Sequence, residues 1–180
     1  METYVALLRG VNVAGARKVP MAELREAVGA LGHEDVRTYV QSGNVLLRSS
    51  APARSIGPGI EDALRDALDV EATVVVLTAA ELCGVVEGNP FIDRGIDPKL
   101  LAAALLAGEP APAKVEELTA GDYGREELEV RGTTVYLHLP DGQGRAKLSH
   151  ALLERRLGVP VTARNWRTMT TLLDMARQRG

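Results

Sequence analysis

The order of apolar and amphipathic stretches along this chain repeats, and that repetition constrains the fold more than any single motif. In the first half, Tyr4–Leu8 is a short apolar run closed by Arg9-Gly10, with the length and flanks of a buried strand. Pro20 suits a first helical turn, and Met21, Leu24, Val28 and Leu31 follow at helical spacing until Gly32 stops them. Val36–Val40 alternates as a strand, Gln41-Ser42-Gly43-Asn44 turns, and Val45–Leu47 returns. Gly and Asn tolerate positive φ, which such a hairpin needs. Ala51–Gly59 reads as a loop, Ile60–Leu68 as a helix and Thr73–Leu77 as a strand. The resulting β-α-β-β-α-β order is that of the split βαβ, or ferredoxin-like, unit.

The second half follows the same order. Thr78-Ala79-Ala80-Glu81 matches a capping box and opens an extra helix that ends at Gly88-Asn89-Pro90. After the connector Phe91–Pro98, Leu100–Leu106 has a Leu/Ala composition that suits a helix as well as a strand. The repetition selects the strand. A helix over Pro112–Leu118, a hairpin of Glu127–Arg131 and Thr134–Leu139, a helix over Arg145–Leu157, a strand over Val161–Arg164 and a helix over Thr168–Arg177 complete it. The expected fold class is α+β: two tandem ferredoxin-like (βαββαβ) units with mainly antiparallel sheets, each followed by an extra helix. The units divide as 1–97 and 98–180.

Connections alone then fix strand directions. The first and second strands run the same way, so Arg9 and Asn12 share one end with the Gln41–Asn44 hairpin. In the second unit, the third and fourth strands bring Gly142–Gly144 and Arg164-Asn165-Trp166 to one end. Polar residues scattered in sequence thus gather at strand ends, where sites form. The candidate ligand-binding residues are Arg9, Asn12, Gln41, Ser42, Asn44, Gly142, Gly144, Arg145, Lys147, Arg164 and Asn165.

The stretch Pro140–Ser149 carries the sharpest local signal. Its two glycines permit close backbone approach, and a helix starting near Arg145 would offer free N–H groups to an anion beside Arg145 and Lys147. The matching stretch of the first half, Ser55–Glu61, also reads as Gly-x-Gly before a helix, but with Pro58 and Glu61 in place of the basic residues. Residues 142–180 carry eight basic side chains against Glu154 and Asp174, whereas residues 61–129 carry sixteen acids against five basic residues. The basic end either attracts anions or docks on the chain's own acidic middle.

Leu7–Gly15, Lys18–Arg25 and Tyr39–Val45 resemble the N-terminal motifs of a bacterial family, the domain of unknown function 1697. Asn89-Pro90-Phe91, Gly142–Leu148 and Arg164–Thr168 resemble its later ones. The resemblance runs from about Tyr4 to about Leu173 and implies a double ferredoxin-like α/β structure, without importing an activity. Ala14 stands where the family often has glycine, and Ala146 where it often has serine, which removes one hydroxyl from the glycine-rich stretch.

Several chemistries are disfavoured. His33, His138 and His150 lie outside the motifs and read as surface or packed residues, and the single Cys83 reads as a small core residue. No His/Cys/carboxylate spacing suggests a metal, and 142–147 is neither a P-loop nor a dinucleotide fingerprint. No cofactor is expected and no catalytic base can be named. With no apolar run of about 18 residues and no signal-peptide pattern behind Met1, a cytoplasmic protein without membrane contact is expected. Three functions stay open: binding of a small anionic, phosphate- or carboxylate-bearing ligand in a cleft at strand ends; a non-catalytic interaction or assembly module; and nucleic-acid binding. The last is disfavoured by a shortage of aromatics on the sheet strands. Oligomeric state is not fixed by the sequence.

Overall fold

The structure, a computed structural model, describes residues 1–12 and 18–178. Most of the loop expected over Val11–Val19, with Ala14, lies outside the described residues, as does Arg179 of the basic end. The described residues form an α+β fold with two four-stranded antiparallel sheets and six α-helices. They divide into two compact units, Met1–Gly84 with the chain from Leu172 on, and Val85–Thr171. The division falls inside the helix after the fourth strand rather than at residue 97, and the last helix begins in the second unit and ends in the first.

In the first unit, β1 (Glu2–Arg9), β2 (Glu34–Tyr39), β3 (Asn44–Ser49) and β4 (Thr73–Thr78) form a sheet in the order β2-β3-β1-β4. Val5, Ala6 and Leu7 are wholly buried, so β1 is covered on both faces, as its unbroken apolar run requires. Tyr4, Ala6 and Leu8 point into a core with Leu24 and Val28 of α1 (Met21–Ala30) and Ile56, Ile60 and Leu64 of α2 (Ala53–Leu68). Each helix buries the residues that its 3.6-residue period aligns on one face.

Contrary to the loop expected over Ala51–Gly59, α2 starts at Ala53, so Ser55–Gly59 is helix. Gly57 explains the composition. A β-carbon there would lie 3.1 Å from the Val74 carbonyl oxygen, so glycine lets α2 approach β4 closely. Glu61 Oε1 accepts the Val74 N–H at 2.7 Å, tying the same helix to the start of β4.

The capping box expected at Thr78 forms, with Thr78 N–H donating to Glu81 Oε2 at 2.7 Å and Glu81 N–H donating to Thr78 Oγ1 at 3.1 Å. It opens α3 (Ala79–Glu87). In the second unit, β5 (Leu101–Leu106), β6 (Glu127–Arg131), β7 (Thr134–His138) and β8 (Val161–Asn165) take the order β6-β7-β5-β8, the first sheet's order shifted by four strands. All six residues of β5 are buried. Two flanking strands outweigh the helical leaning of its Leu/Ala composition.

Ala102, Ala104, Leu106, Val135 and Leu137 form one core with Leu118 of α4 (Pro112–Thr119) and Leu153 and Leu157 of α5 (His150–Leu157). Glu154 Oε1 accepts the Val161 N–H at 2.8 Å, the counterpart of the Glu61–Val74 bond. The opposite sheet face meets the end of α3 and its connector: Tyr136 Oη donates to the Val85 carbonyl at 2.8 Å and Arg131 Nη1 to the Gly88 carbonyl at 2.6 Å. The last helix among the described residues is α6 (Trp166–Arg177). No helix among the described residues is long and apolar enough to cross a membrane.

Candidate functional site

The second sheet creates a cavity at the end where β5 begins and β7 and β8 finish. Register pairs Leu101 with His138 and Ala102 with Asn165, so the turn before β5, the turn after β7 and the start of α6 meet there. These segments line a cavity of about 710 Å³. Asp97, Pro98 and Lys99 come from the first, Gln143 from the second, and Asn165, Trp166, Arg167 and Thr170 from the third. Each wall has a local cause. Asp97 Oδ1 accepts the Lys99 N–H at 2.9 Å and sets the short turn Pro98–Leu100. Asn165 Oδ1 accepts the Thr168 N–H at 2.8 Å and caps α6, which seats Trp166 in the first turn. Trp166 is almost wholly buried, whereas Lys99 and Arg167 are exposed. The cavity therefore combines an indole and a proline with two cations, one carboxylate and two carboxamides.

The glycine-rich stretch is built differently from the expectation. A single 3-10 turn spans Gln143–Arg145, and α5 starts only at His150, with Ser149 Oγ accepting the Leu152 N–H at 3.3 Å. The N–H groups expected to await an anion already have one. Glu126 Oε1 and Oε2 accept the Lys147 and Leu148 N–H groups, each at 2.8 Å. The anion at this loop is the chain's own carboxylate. Replacing Glu126 by alanine strips both donors and is expected to cost about 2 kcal/mol. That lowers the unfolding midpoint by roughly 6 °C, and Glu126→Gln, which keeps one acceptor, is expected to lose about half as much. A thermal melt of both variants checks this.

The other expected site residues separate into distinct roles. Gly142 has φ +80° and opens the turn, while Gly144, Arg145 and Lys147 are exposed and do not line the cavity. Arg164 is buried, with Nη1 donating to Thr162 Oγ1 at 2.7 Å and to the Ala163 carbonyl at 2.9 Å. Burial lowers its pKa to about 10. Only Asn165 of the second-unit set reaches the cavity wall.

In the first unit, Asn12, Gln41, Ser42 and Asn44 do come together, as a braced corner. Asn12 Nδ2 donates to the Val19 and Gln41 carbonyls at 2.9 and 2.8 Å, and Asn12 Oδ1 accepts the Val19 N–H at 2.7 Å. The wholly buried Asn44 donates through Nδ2 to the Tyr39 carbonyl and to Ser42 Oγ, both at 2.9 Å. Arg9 ends β1 opposite Thr73.

His33 and His138 find structural partners. His138 Nδ1 lies 2.8 Å from Glu127 Oε1, and Arg94 grips the same carboxylate with two bonds of 2.8 and 3.0 Å. The Arg94 guanidinium, and after it the His138 ring, hold the Glu127 carboxyl below the usual carboxylate range. His33 Nδ1 lies 3.0 Å from Ser49 Oγ, which also accepts the Ala51 N–H, and burial lowers the His33 pKa. Cys83 is half-buried with Arg177 Nη2 3.0 Å from its sulfur, so it is less a core residue than expected. No group of three or more potential metal ligands exists among the described residues.

The family model of a protein of unknown function, DUF1697, matches residues 1–136. The chain belongs to this family. The match ends before the 142–148 stretch and before the Arg164–Thr168 motif, so the cavity's later walls lie beyond it. This DUF1697 member is also similar to a solved structure, a conserved bacterial protein from Streptococcus pneumoniae, with 22% identity and a TM-score of 0.79. The alignment covers 97% of this chain and 98% of that one, a likeness of fold. No curated protein matches.

Proposed function

We propose that this protein binds a small anionic ligand, phosphate- or carboxylate-bearing, in the cavity at the strand ends of its second unit. The observation that carries the reading is the convergence of Lys99, Arg167, Gln143 and Asn165 on one cavity of about 710 Å³ beside Trp166. That volume lies within the ~300–1,000 Å³ typical of small-molecule sites, and apolar walls with a few placed polar groups are their usual composition. Arg167 suits a bidentate grip on either oxyanion, and Lys99 adds a compact charge. The same reading extends to the fold: each unit is a ferredoxin-like βαββαβ module, the two in tandem, supported by the matching sheet orders β2-β3-β1-β4 and β6-β7-β5-β8.

A thermal-shift screen of nucleotides, sugar phosphates and carboxylates tests it. At least one anion is expected to raise the unfolding midpoint, and the double variant Lys99→Gln, Arg167→Gln is expected to abolish the rise without altering the ligand-free melt. Stabilisation is the mass-action consequence of binding the native state alone. Indifference of the wild type to every anion refutes the reading.

One set of contacts favours the interaction-module alternative. Asn12, Asn44 and Asn165 all spend their side chains on turns and caps, as residues kept for architecture do. That reading predicts stability losses from these positions and no ligand response anywhere. Nucleic-acid binding finds no such support: Tyr4 is buried with its hydroxyl donating to the Ala51 carbonyl, and Tyr136 is buried against the Val85 carbonyl. Neither ring is open to stack on a base.

A further inference from the structure

We propose that the cavity beside Trp166 selects a zwitterion of the amino-acid class with an apolar side group, or a short peptide bearing both charges, over a multiply charged phosphate. This rests on the ligand-binding reading above and decides between its two oxyanion classes. The deciding residue is Asp97. Its carboxylate shares the cavity wall with Lys99 and Arg167, so the three charged groups there sum to a single positive charge. Only one Asp97 oxygen is committed, to the Lys99 N–H; the other has no partner among the described residues. Lys99 and Arg167 likewise form no ion pair among the described residues.

A carboxylate in the wall weakens the hold on a dianion. A second negative charge on the ligand would stand near Asp97, and like charges in one site oppose each other. A ligand carrying one carboxylate and one ammonium instead matches all three charged side chains. The carboxylate meets the guanidinium and the lysine, and the ammonium meets Asp97. The apolar walls point the same way. The part of the Trp166 indole that reaches the wall, with Pro98, offers dispersion contact to an apolar body. That contact does not serve a bare phosphate, which needs donors rather than hydrocarbon.

Calorimetric titration of the full chain with four probes that share one ring tests the charge logic: phenylalanine, 3-phenylpropionate, phenethylamine and phenyl phosphate. Phenylalanine is expected to bind tightest, about tenfold tighter than phenyl phosphate. Asp97→Asn is expected to weaken phenylalanine by about tenfold while leaving 3-phenylpropionate equal or tighter. Asparagine and serine both keep an oxygen for the Lys99 N–H, so Asp97→Asn and Asp97→Ser retain the turn, and the serine variant must show the same selectivity. Phenyl phosphate binding tightest to the wild type, or Asp97 variants that change no preference, overturn this inference and leave the anion-binding reading standing. Absence of binding by all four overturns the inference, and a blank anion screen beside it overturns the reading as well.

Discussion

Gly43→Ala is expected to be among the most damaging single-methyl changes in the first unit, costing about 3 kcal/mol. Two independent effects add at this position. Gly43 sits at φ +76°, where a β-carbon is disfavoured, and that β-carbon would fall 2.5 Å from Val11 Cγ2 and 2.9 Å from Leu8 Cβ. The Val11 side chain can yield, but Leu8 Cβ is fixed by its strand, and the Gly43 carbonyl accepts the Leu8 N–H at 2.8 Å. The backbone therefore has no direction in which to relax. Thermal unfolding should show the midpoint falling by roughly 10 °C. Placing Gly43→Ala in a Val11→Ala background should recover part of the loss, because it removes the nearer clash and leaves the dihedral cost. A melt within about 2 °C of wild type, less than 1 kcal/mol for a chain of this size, would mean that the hairpin does not pack against β1 as described.

The second large effect is at Asn12. Its side chain makes three bonds of 2.7–2.9 Å, and its backbone stands at φ +54°, a region that asparagine visits more readily than alanine. Asn12→Ala loses the bonds and keeps the dihedral, for about 3 kcal/mol in total. Asn12→Gly relieves the dihedral alone and should recover about 1 kcal/mol. Asn12→Asp keeps the acceptor for the Val19 N–H but not the donors to Val19 and Gln41, so it should also fall between. Urea unfolding of the three variants gives the ranking directly. Equal losses for alanine and glycine would remove the dihedral from the account. None of these changes should alter the anion response, since Asn12 belongs to the first unit and the proposed cavity is lined by the second.

Much of the fold follows from local pattern because its strands are short, apolar and turn-bounded. Repetition resolved what pattern could not at β5, where a Leu/Ala run is a buried central strand. The failures have a common cause, which is that partners distant in sequence overrode local chemistry. Gly57-Pro58-Gly59 has the composition of a loop, yet it is helical because the close approach to Val74 uses the missing β-carbon of Gly57. The amphipathic pattern from Arg145 to Leu157 suggests one helix, yet Glu126 holds the N–H groups of Lys147 and Leu148 outside it. Of the residues proposed as the site, Asn165, Trp166 and Arg167 stood in a visible motif, whereas Asp97 sat in a connector without one and Lys99 directly after it. Their relevance comes only from β5, which carries them to the ends of β7 and β8. Arg164 misled for a related reason: strand alternation turns it to the sheet face opposite Ala163, where it is buried.

The chain contains a single tryptophan, and it lines the proposed cavity. Its emission is therefore a reporter with no competing tryptophan signal. Titrating the full chain with phenylalanine and with inorganic phosphate while following the Trp166 emission is the most direct test of ligand binding at this site. A saturable change with phenylalanine, lost in the Lys99→Gln, Arg167→Gln variant, is the expected result. Emission that stays constant with both probes and with every anion of the thermal-shift screen to millimolar concentration, or that changes equally in the variant, would contradict it.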